Sequence, residues 1–331
     1  MKYRKLGKTD LDLSVVTFGA WAIGGWMWGG TEQTAAAEAI RAAFDHGVTS
    51  IDTAAVYGQG LSEKIVGEAV RDLPRDQLQI LTKGGVRWDV EKGEFASRSK
   101  DNEGNDIKIY RYAGKESIIK ECEDSLRRLK TDYIDLYQIH WPDSTTPVEE
   151  TMEAFLRLKE KGKIREAGVS NFTVEQMKKA ENVLEVASNQ LPYSMVRRDI
   201  EEDLIPYCRK IKKGILAYSP LQRGLLTGKM YPGYPFNEGD NRAGGKYFTD
   251  EYIRHTNKFL DEIKPIARQK ESTLAQLVLQ WTIRQPGITI ALAGARNPDQ
   301  AVENARAADI SLSSEEAKFI DDKLDSMISY G

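Results

Sequence analysis

The sequence predicts an α/β chain closed into a (β/α)8 barrel, and three observations predict it. Short β-rich runs alternate with longer stretches of helical period eight times over. Glycine marks helix-to-strand returns at Gly47, Gly162 and Gly214, where a left-handed residue ends a helix at little steric cost. The length, 331 residues, suits one such barrel with inserted loops at its C-terminal face and a closing C-terminal helix, hence a single domain over residues 1–331.

The first expected strand is Val15 to Gly19, with a helix over Thr34 to His46. Ser50 to Asp52 leads to Glu63 to Asp72. Leu78 to Lys83 is parted from its helix, Lys115 to Leu129, by an aperiodic stretch from Gly84 to Gly114. Ile134 to His140 pairs with Val148 to Lys161, and Ile164 to Ser170 with Thr173 to Asn182. Glu185 to Gln190 pairs with Ile200 to Ile211, Gly214 to Ser219 with Leu274 to Gln285, and Ile288 to Ala293 with Pro298 to Ala307. Repeated βα units imply a parallel sheet with right-handed crossovers. Ser313-Ser314-Glu315-Glu316 opens a last helix to about Ile328, its acids favourable to the helix dipole.

Hydrophobic residues make up 40% of the chain, enough for a large core, and a net charge of -3 leaves no basic excess for nucleic acid. Met1 to Asp12 lacks the continuous apolar stretch of a secretion signal. The most apolar region, Val15 to Gly30, is broken by glycines and too short to span a membrane. A cytoplasmic protein without a nucleic-acid or membrane partner is therefore expected. Cys122 and Cys208 lie in predicted helices with neither metal-ligand spacing nor a disulfide framework, which suits buried apolar side chains and no metal.

Four polar side chains, Asp52, Tyr57, Lys83 and His140, fall at or just past the carboxyl ends of three consecutive predicted strands. Such positions converge on one rim of a barrel. A tyrosine hydroxyl titrates near ~10 in water, so as a proton donor it needs help from its surroundings. The Lys83 ammonium is placed to lower the Tyr57 pKa, Asp52 to pair with Lys83, and His140 to orient a substrate oxygen. Singly, each has a plainer role in a turn, a cap or a solvated strand end. Jointly they read as a proton-transfer device. His46 and His255, the latter within a helix, lie off the rim and suit capping and surface roles.

These residues lie in segments that resemble the aldo-keto reductase signatures: Asp52-Thr53-Ala54-Ala55-Val56-Tyr57-Gly58, Leu81-Thr82-Lys83, Asp135-Leu136-Tyr137-Gln138-Ile139-His140-Trp141-Pro142 and Gly168-Val169-Ser170-Asn171-Phe172. Trp21-Ala22-Ile23-Gly24-Gly25 and Arg223-Gly224-Leu225-Leu226-Thr227-Gly228-Lys229 resemble most the bacterial branch of general-stress and inositol-operon reductases. The resemblance implies an NADPH-dependent oxidoreductase that reduces the carbonyl of an aldehyde, a ketone or a sugar or polyol type of substrate, with Tyr57 as proton donor. It implies cofactor contacts from Ala20 and Trp21, from Ser170, Asn171 and Gln190 at the nicotinamide carboxamide, and from Tyr218 stacked on the ring. Ser219, Pro220, Leu221, Arg223, Gly224 and Lys229 would follow the pyrophosphate. Gly294, Arg296, Gln300, Glu303 and Asn304 would grip the adenosine end, with the Arg296 fork on a 2'-phosphate and Arg242 as a second phosphate candidate. No Gly-x-Gly-x-x-Gly follows the first strand, unlike a Rossmann dehydrogenase.

Trp21, Trp26, Trp28, Trp88 and Trp141 lie in or beside rim loops and make an aromatic wall that suits sugar faces and apolar aldehydes alike. The Gly84 to Gly114 insertion reads either as a lid or hairpin over the pocket, or as a surface ornament. Two other readings stand beside the reductase. One is an NADP(H)-binding sensor with little turnover, and the other a Schiff-base aldolase on Lys83, which leaves Tyr57 and the late adenosine pattern unexplained. The sequence leaves natural substrate, direction and any homo-oligomer open.

Overall fold

A computed structural model describes residues 1–237 and 239–328. The chain opens on a hairpin of β1 (Tyr3–Lys5) and β2 (Asp12–Ser14), then runs β3 (Val16–Gly19), α1 (Gln33–Asp45), β4 (Ser50–Asp52), α2 (Leu61–Ala69) and β5 (Gln79–Gly84). β6 (Val86–Arg87), β7 (Glu94–Lys100) and β8 (Asp106–Arg111) precede α3 (Lys115–Leu129). There follow β9 (Ile134–Ile139), α4 (Val148–Glu160), β10 (Ile164–Ser170), α5 (Val174–Glu181), β11 (Ser188–Pro192) and α6 (Leu204–Ile211). β12 (Gly214–Tyr218), α7 (Asp250–Gln269), α8 (Leu274–Arg284), β13 (Ile290–Gly294), α9 (Pro298–Arg306) and α10 (Ser314–Ile328) complete it.

β3, β4, β5, β9, β10, β11, β12 and β13 close into a parallel barrel in that order. The (β/α)8 architecture read from the sequence is the architecture found. Register sets the polar residues level at one end: Gly19 lies opposite Asp52, Lys83 opposite Gln138, and Ser170 opposite Gln190. The other end is plugged by the N-terminal hairpin, to which the sequence reading assigned no element. Leu6, Leu11 and Leu13 enter the interior and pack with Leu81, Leu136, Leu216 and Leu292. The helices cover the outside, as with Ala36, Ala39, Ile40 and Ala43 of α1.

Of the departures from expectation, three have local reasons. The stretch from Ile200 to Ile211 is broken, because the Asp203 side chain caps Leu204 and starts α6 there. Strand β11 begins at Ser188 rather than Glu185, whose carboxylate is drawn outward to Lys213. The region from 84 to 114 is ordered as an antiparallel sheet, β6–β8–β7. No helix among the described residues is long and apolar enough to cross a membrane.

Two buried carboxylates on the helical layer brace β5 on either side of Lys83. Glu63 of α2 accepts from Thr82 Oγ1 (2.6 Å) and pairs with Arg128. Glu121 of α3 accepts from the Gly85 amide (3.0 Å) and lies beside Arg87. Between these braces, Gly84 faces Tyr137, whose ring stacks on Phe155 at 5.1 Å and whose buried hydroxyl has no hydrogen-bond partner among the described residues. A Cβ at Gly84 would strike that hydroxyl. Gly84→Ala is therefore expected to destabilise the fold by ~1–3 kcal/mol, the usual cost of overpacking. Tyr137→Phe in the same chain should restore most of the loss in a urea titration; an additive double mutant would refute the contact.

Candidate active site

The strand ends bring Asp52, Lys83 and His140 together with Tyr57 from the turn after β4. Lys83 is 1% and Asp52 3% exposed. The Lys83 ammonium donates to Asp52 Oδ1 (2.5 Å) and to the Thr53 carbonyl (2.8 Å). The second carboxylate oxygen accepts from the side-chain amides of Gln190 (2.8 Å) and Gln138 (3.3 Å). Burial pulls the Lys83 pKa down, with Asp52 opposing the shift.

The turn that carries Tyr57 is held from both sides. Ser62, in the first turn of α2, donates its hydroxyl to the Ala20 carbonyl (2.7 Å), and its amide donates to the Tyr57 carbonyl (3.1 Å). Gly24 packs so closely on the Tyr57 carbonyl that a Cβ there would lie 2.9 Å from it. The Tyr57 ring meets His140 edge-on at 5.6 Å and Trp21 at 6.1 Å, and the Lys83 ammonium lies 5.2 Å from its centroid.

The direction of the Tyr57 pKa shift differs from the sequence-based expectation. Burial, with the negative charge of Asp52 added, pushes the phenol well above its ordinary value, because Asp52 and the Thr53 carbonyl already engage the Lys83 cation. His140 moves the other way. Burial and the Lys83 charge hold it well below its ordinary value, so its imidazole is neutral at pH 7.

Above these groups lies a cavity of about 750 Å3. Asp52, Tyr57 and His140 line it, and Lys83 lies beneath. Each cofactor position named from the resemblance also lines it, from Ala20 and Trp21 to Glu303 and Asn304. Several are engaged with one another. Asn171 donates to Ser170 Oγ and to the His140 carbonyl, and accepts from the Tyr218 hydroxyl (2.9 Å). Asn171, Ser219, Gln222 and Arg223 all have positive φ, a costly conformation that clusters at functional sites. At the far end, Arg296 is exposed and rests on the Gly30 carbonyl (2.8 Å), while Asn304 donates to the Gly294 carbonyl. Lys229 is exposed at the cavity edge.

One expectation is corrected by position. Trp88 does not line the cavity: it packs beside Val56, Val86 and Ile109, behind the wall. Arg242 lines the cavity, but its fork is closed on Asp240 and the Arg223 carbonyl and lies over Trp28, so its charge is neutralised locally. Other residues went unread. Gln138 shares a strand face with His140 two positions on, a period-2 signal present in the sequence. Ala96, Ser97, Ile109 and Arg111 reach the cavity only through the folded insertion, for which no local signal exists.

The chain matches the Aldo/keto reductase family over residues 15–325. It is 40% identical to the aldo-keto reductase YhdN of Bacillus subtilis, over 99% of this chain and 95% of that one. It is 36% identical to an Escherichia coli protein named NADH-specific methylglyoxal reductase, over 96% of each. Among solved structures, the glycerol dehydrogenase AKR11B4 of Gluconobacter oxydans superposes with a TM-score of 0.88 at 39% identity, covering 98% of this chain and 96% of that one. An aldo-keto reductase of Klebsiella pneumoniae in complex with NADPH gives 0.72 at 31% identity, covering 97% and 95%.

Removing one partner of a buried pair leaves the other as an uncompensated charge. Asp52→Asn should therefore cost ~3–5 kcal/mol of stability in a denaturant titration, whereas Asp52→Asn with Lys83→Met should recover much of it. Equal losses in the single and double variants would contradict the pairing.

Proposed function

The chain belongs to the aldo/keto reductase family, and on that premise we propose that it is an NADPH-dependent carbonyl reductase in which Tyr57 is the proton donor. The observation that carries the reading is geometric: the Tyr57 ring stands edge-on to His140 at 5.6 Å and 5.2 Å from the Lys83 Nζ, which is itself buried against Asp52.

The cavity's donor set fits a dihydronicotinamide dinucleotide. The Tyr218 ring and the Ser170 and Asn171 side chains are available to the nicotinamide end, the strained loop from Ser219 to Gly224 to the phosphates, and Arg296 to the adenosine end. When bound, that cofactor supplies hydride to a carbonyl carbon. The chain's own residues manage the oxygen. His140, neutral, donates a hydrogen bond that orients the substrate oxygen, and the Tyr57 hydroxyl transfers its proton there. The phenolate that remains gains from the Lys83 cation 5.2 Å from its ring, and Asp52, Gln138 and Gln190 keep that cation in place.

The raised Tyr57 pKa fixes the pH dependence. The acid form is kept past the ordinary ~10, and His140 stays neutral below its ordinary ~6.5. Reduction should run flat between those limits, and alcohol oxidation, which needs the phenolate, should climb with pH throughout. A reduction rate halved between pH 7 and 9 would argue against Tyr57 as the acid.

Tyr57→Phe keeps the ring and removes the proton, so reduction should fall by about 10²–10⁴-fold while NADPH binding, followed by fluorescence titration, persists. Lost binding with intact turnover per bound enzyme would reverse the assignment, and bound NADPH with no reducible carbonyl in the wild type would favour the sensor. Arg296→Ala should raise the Michaelis constant for NADPH about tenfold with little change for NADH, since only the former offers the fork a phosphate. Equal effects on both would remove the argument for NADPH.

A further inference from the structure

The hairpin of β7 and β8 ends in a tip, residues 101–105, that is stiffened from within. Beyond a one-residue slip at Ala96, the two strands pair regularly as far as Lys100 and Asp106. The Asp101 carboxylate accepts from the amides of Glu103 (3.0 Å) and Asn105 (2.8 Å) and from the Asn105 side chain (3.0 Å), and the Asp101 amide donates to the Asn105 carbonyl (2.9 Å). An aspartate that bonds the backbone two residues on holds such a turn in one shape. The Asn102 side chain leaves this tip and donates to the Gly24 carbonyl (2.9 Å).

That contact sits where three glycines meet. A Cβ on Gly58 would strike the Gly24 oxygen and lie 3.1 Å from Asn102 Nδ2, and one on Gly25 would lie 3.3 Å from Asn102 Oδ1. Gly24 and Gly25 belong to the segment from 21 to 30, and Gly58 to the turn that carries Tyr57. Gly24 is buried, so without Asn102 its carbonyl would lose a donor that water is poorly placed to replace. Close by, the Trp26 indole donates to Ser99 Oγ (3.0 Å), a second tie from the same segment to the insertion. Its links to other loops are the Asn241 amide on the Met27 carbonyl (3.2 Å), Arg242 over Trp28, and the exposed Arg296 on the Gly30 carbonyl (2.8 Å). Between these ties Trp21, Ala22, Trp26, Met27 and Trp28 line the cavity, whereas Asn102 does not reach it.

We propose that Asn102 is a positioning residue, carried by the insertion, that clamps the segment from 21 to 30 against the Tyr57 turn and so sets how long NADPH stays bound. It acts through the Gly24 carbonyl and touches neither cofactor nor substrate. A dinucleotide held from Ser170 at one end of the cavity to Arg296 at the other lies against this segment, and its escape depends on how readily the segment lifts. Opening of such segments governs release in many enzymes, and a lost clamp is felt in the dissociation rate more than in association. The clamp rests on the reading above that the dinucleotide occupies this cavity.

The test follows NADPH fluorescence in a stopped-flow instrument for the wild type, Asn102→Ala, Asn102→Ala with Ser99→Ala, and Ser144→Ala. Asn102 is exposed, so its truncation is compatible with folding, and melting temperature checks each variant. Dissociation of NADPH is expected to quicken about fivefold in Asn102→Ala, as the loss of one such hydrogen bond implies, and further in the double variant, with association changed less than twofold. Ser144→Ala, which cuts the tie of the insertion to the loop after β9 through Glu94, should leave dissociation unchanged. In the free protein, amide hydrogen exchange over residues 21–30 should quicken in Asn102→Ala and not in Ser144→Ala. Dissociation within twofold of wild type in the double variant, or equal acceleration by Ser144→Ala, would overturn the clamp. NADPH released as expected yet never consumed with any carbonyl would remove the reductase reading and leave the clamp standing. A wild type that binds no NADPH would remove both.

Discussion

The Lys83–Asp52 pair is the constraint to which the rest of the site is fitted. An ammonium and a carboxylate taken out of water lose several kcal/mol of hydration each, and a pair so placed is weak as a source of stability. A leucine at each position would suit the barrel interior, as Leu81, Leu136, Leu216 and Leu292 do one layer down. Keeping the charges therefore demands that each remaining polar valence be met. Gln138, Gln190 and the Thr53 carbonyl meet three of them, from strands β9 and β11 and from the turn after β4.

Around that pair the scaffold is stiff on the outside and strained on the inside. Glu63 and Glu121 fasten the end of β5 through Thr82 and the Gly85 amide just past it, so Lys83 and Gly84 between them have little freedom to drift. Glu121 is pushed up to about 7 by its burial, with Arg87 opposing the shift. Across the cavity, the backbone holds Asn171, Ser219, Gln222 and Arg223 at positive φ, each a conformation that costs ~1–3 kcal/mol when nothing compensates it. The Asn171–Tyr218 hydrogen bond and the Arg223–Asn241 contact supply local compensation.

The loops over the mouth are joined to one another rather than hanging free. The Asn241 amide donates to the Met27 carbonyl, Arg242 lies over Trp28, and Arg296 reaches Gly30. With the insertion sheet tied to Gly24 and Trp26, the segment from 21 to 30 becomes a common strip against which three other segments close. The segments around the cavity mouth thus share one wall, and Trp21 and Trp28 stand on it.

The sequence alone determined the barrel and the four groups on its rim. A βα repeat assigns each strand end to the same face, and period two assigns each side chain to the inside or outside, so Asp52, Tyr57, Lys83 and His140 were legible from spacing and chemistry. Tertiary structure decided who touches whom. Gln190 reaches Asp52 across 138 residues of chain, Arg242 is silenced by Asp240, Trp88 falls behind the wall, and a one-residue slip at Ala96 turns an unreadable insertion into a cavity rim. Local pattern records which face a residue occupies. Its protonation and its partners are set by burial and by distances between strands that meet only when the ring closes, which is why Tyr57 was recognised from the sequence but the direction of its pKa shift was not.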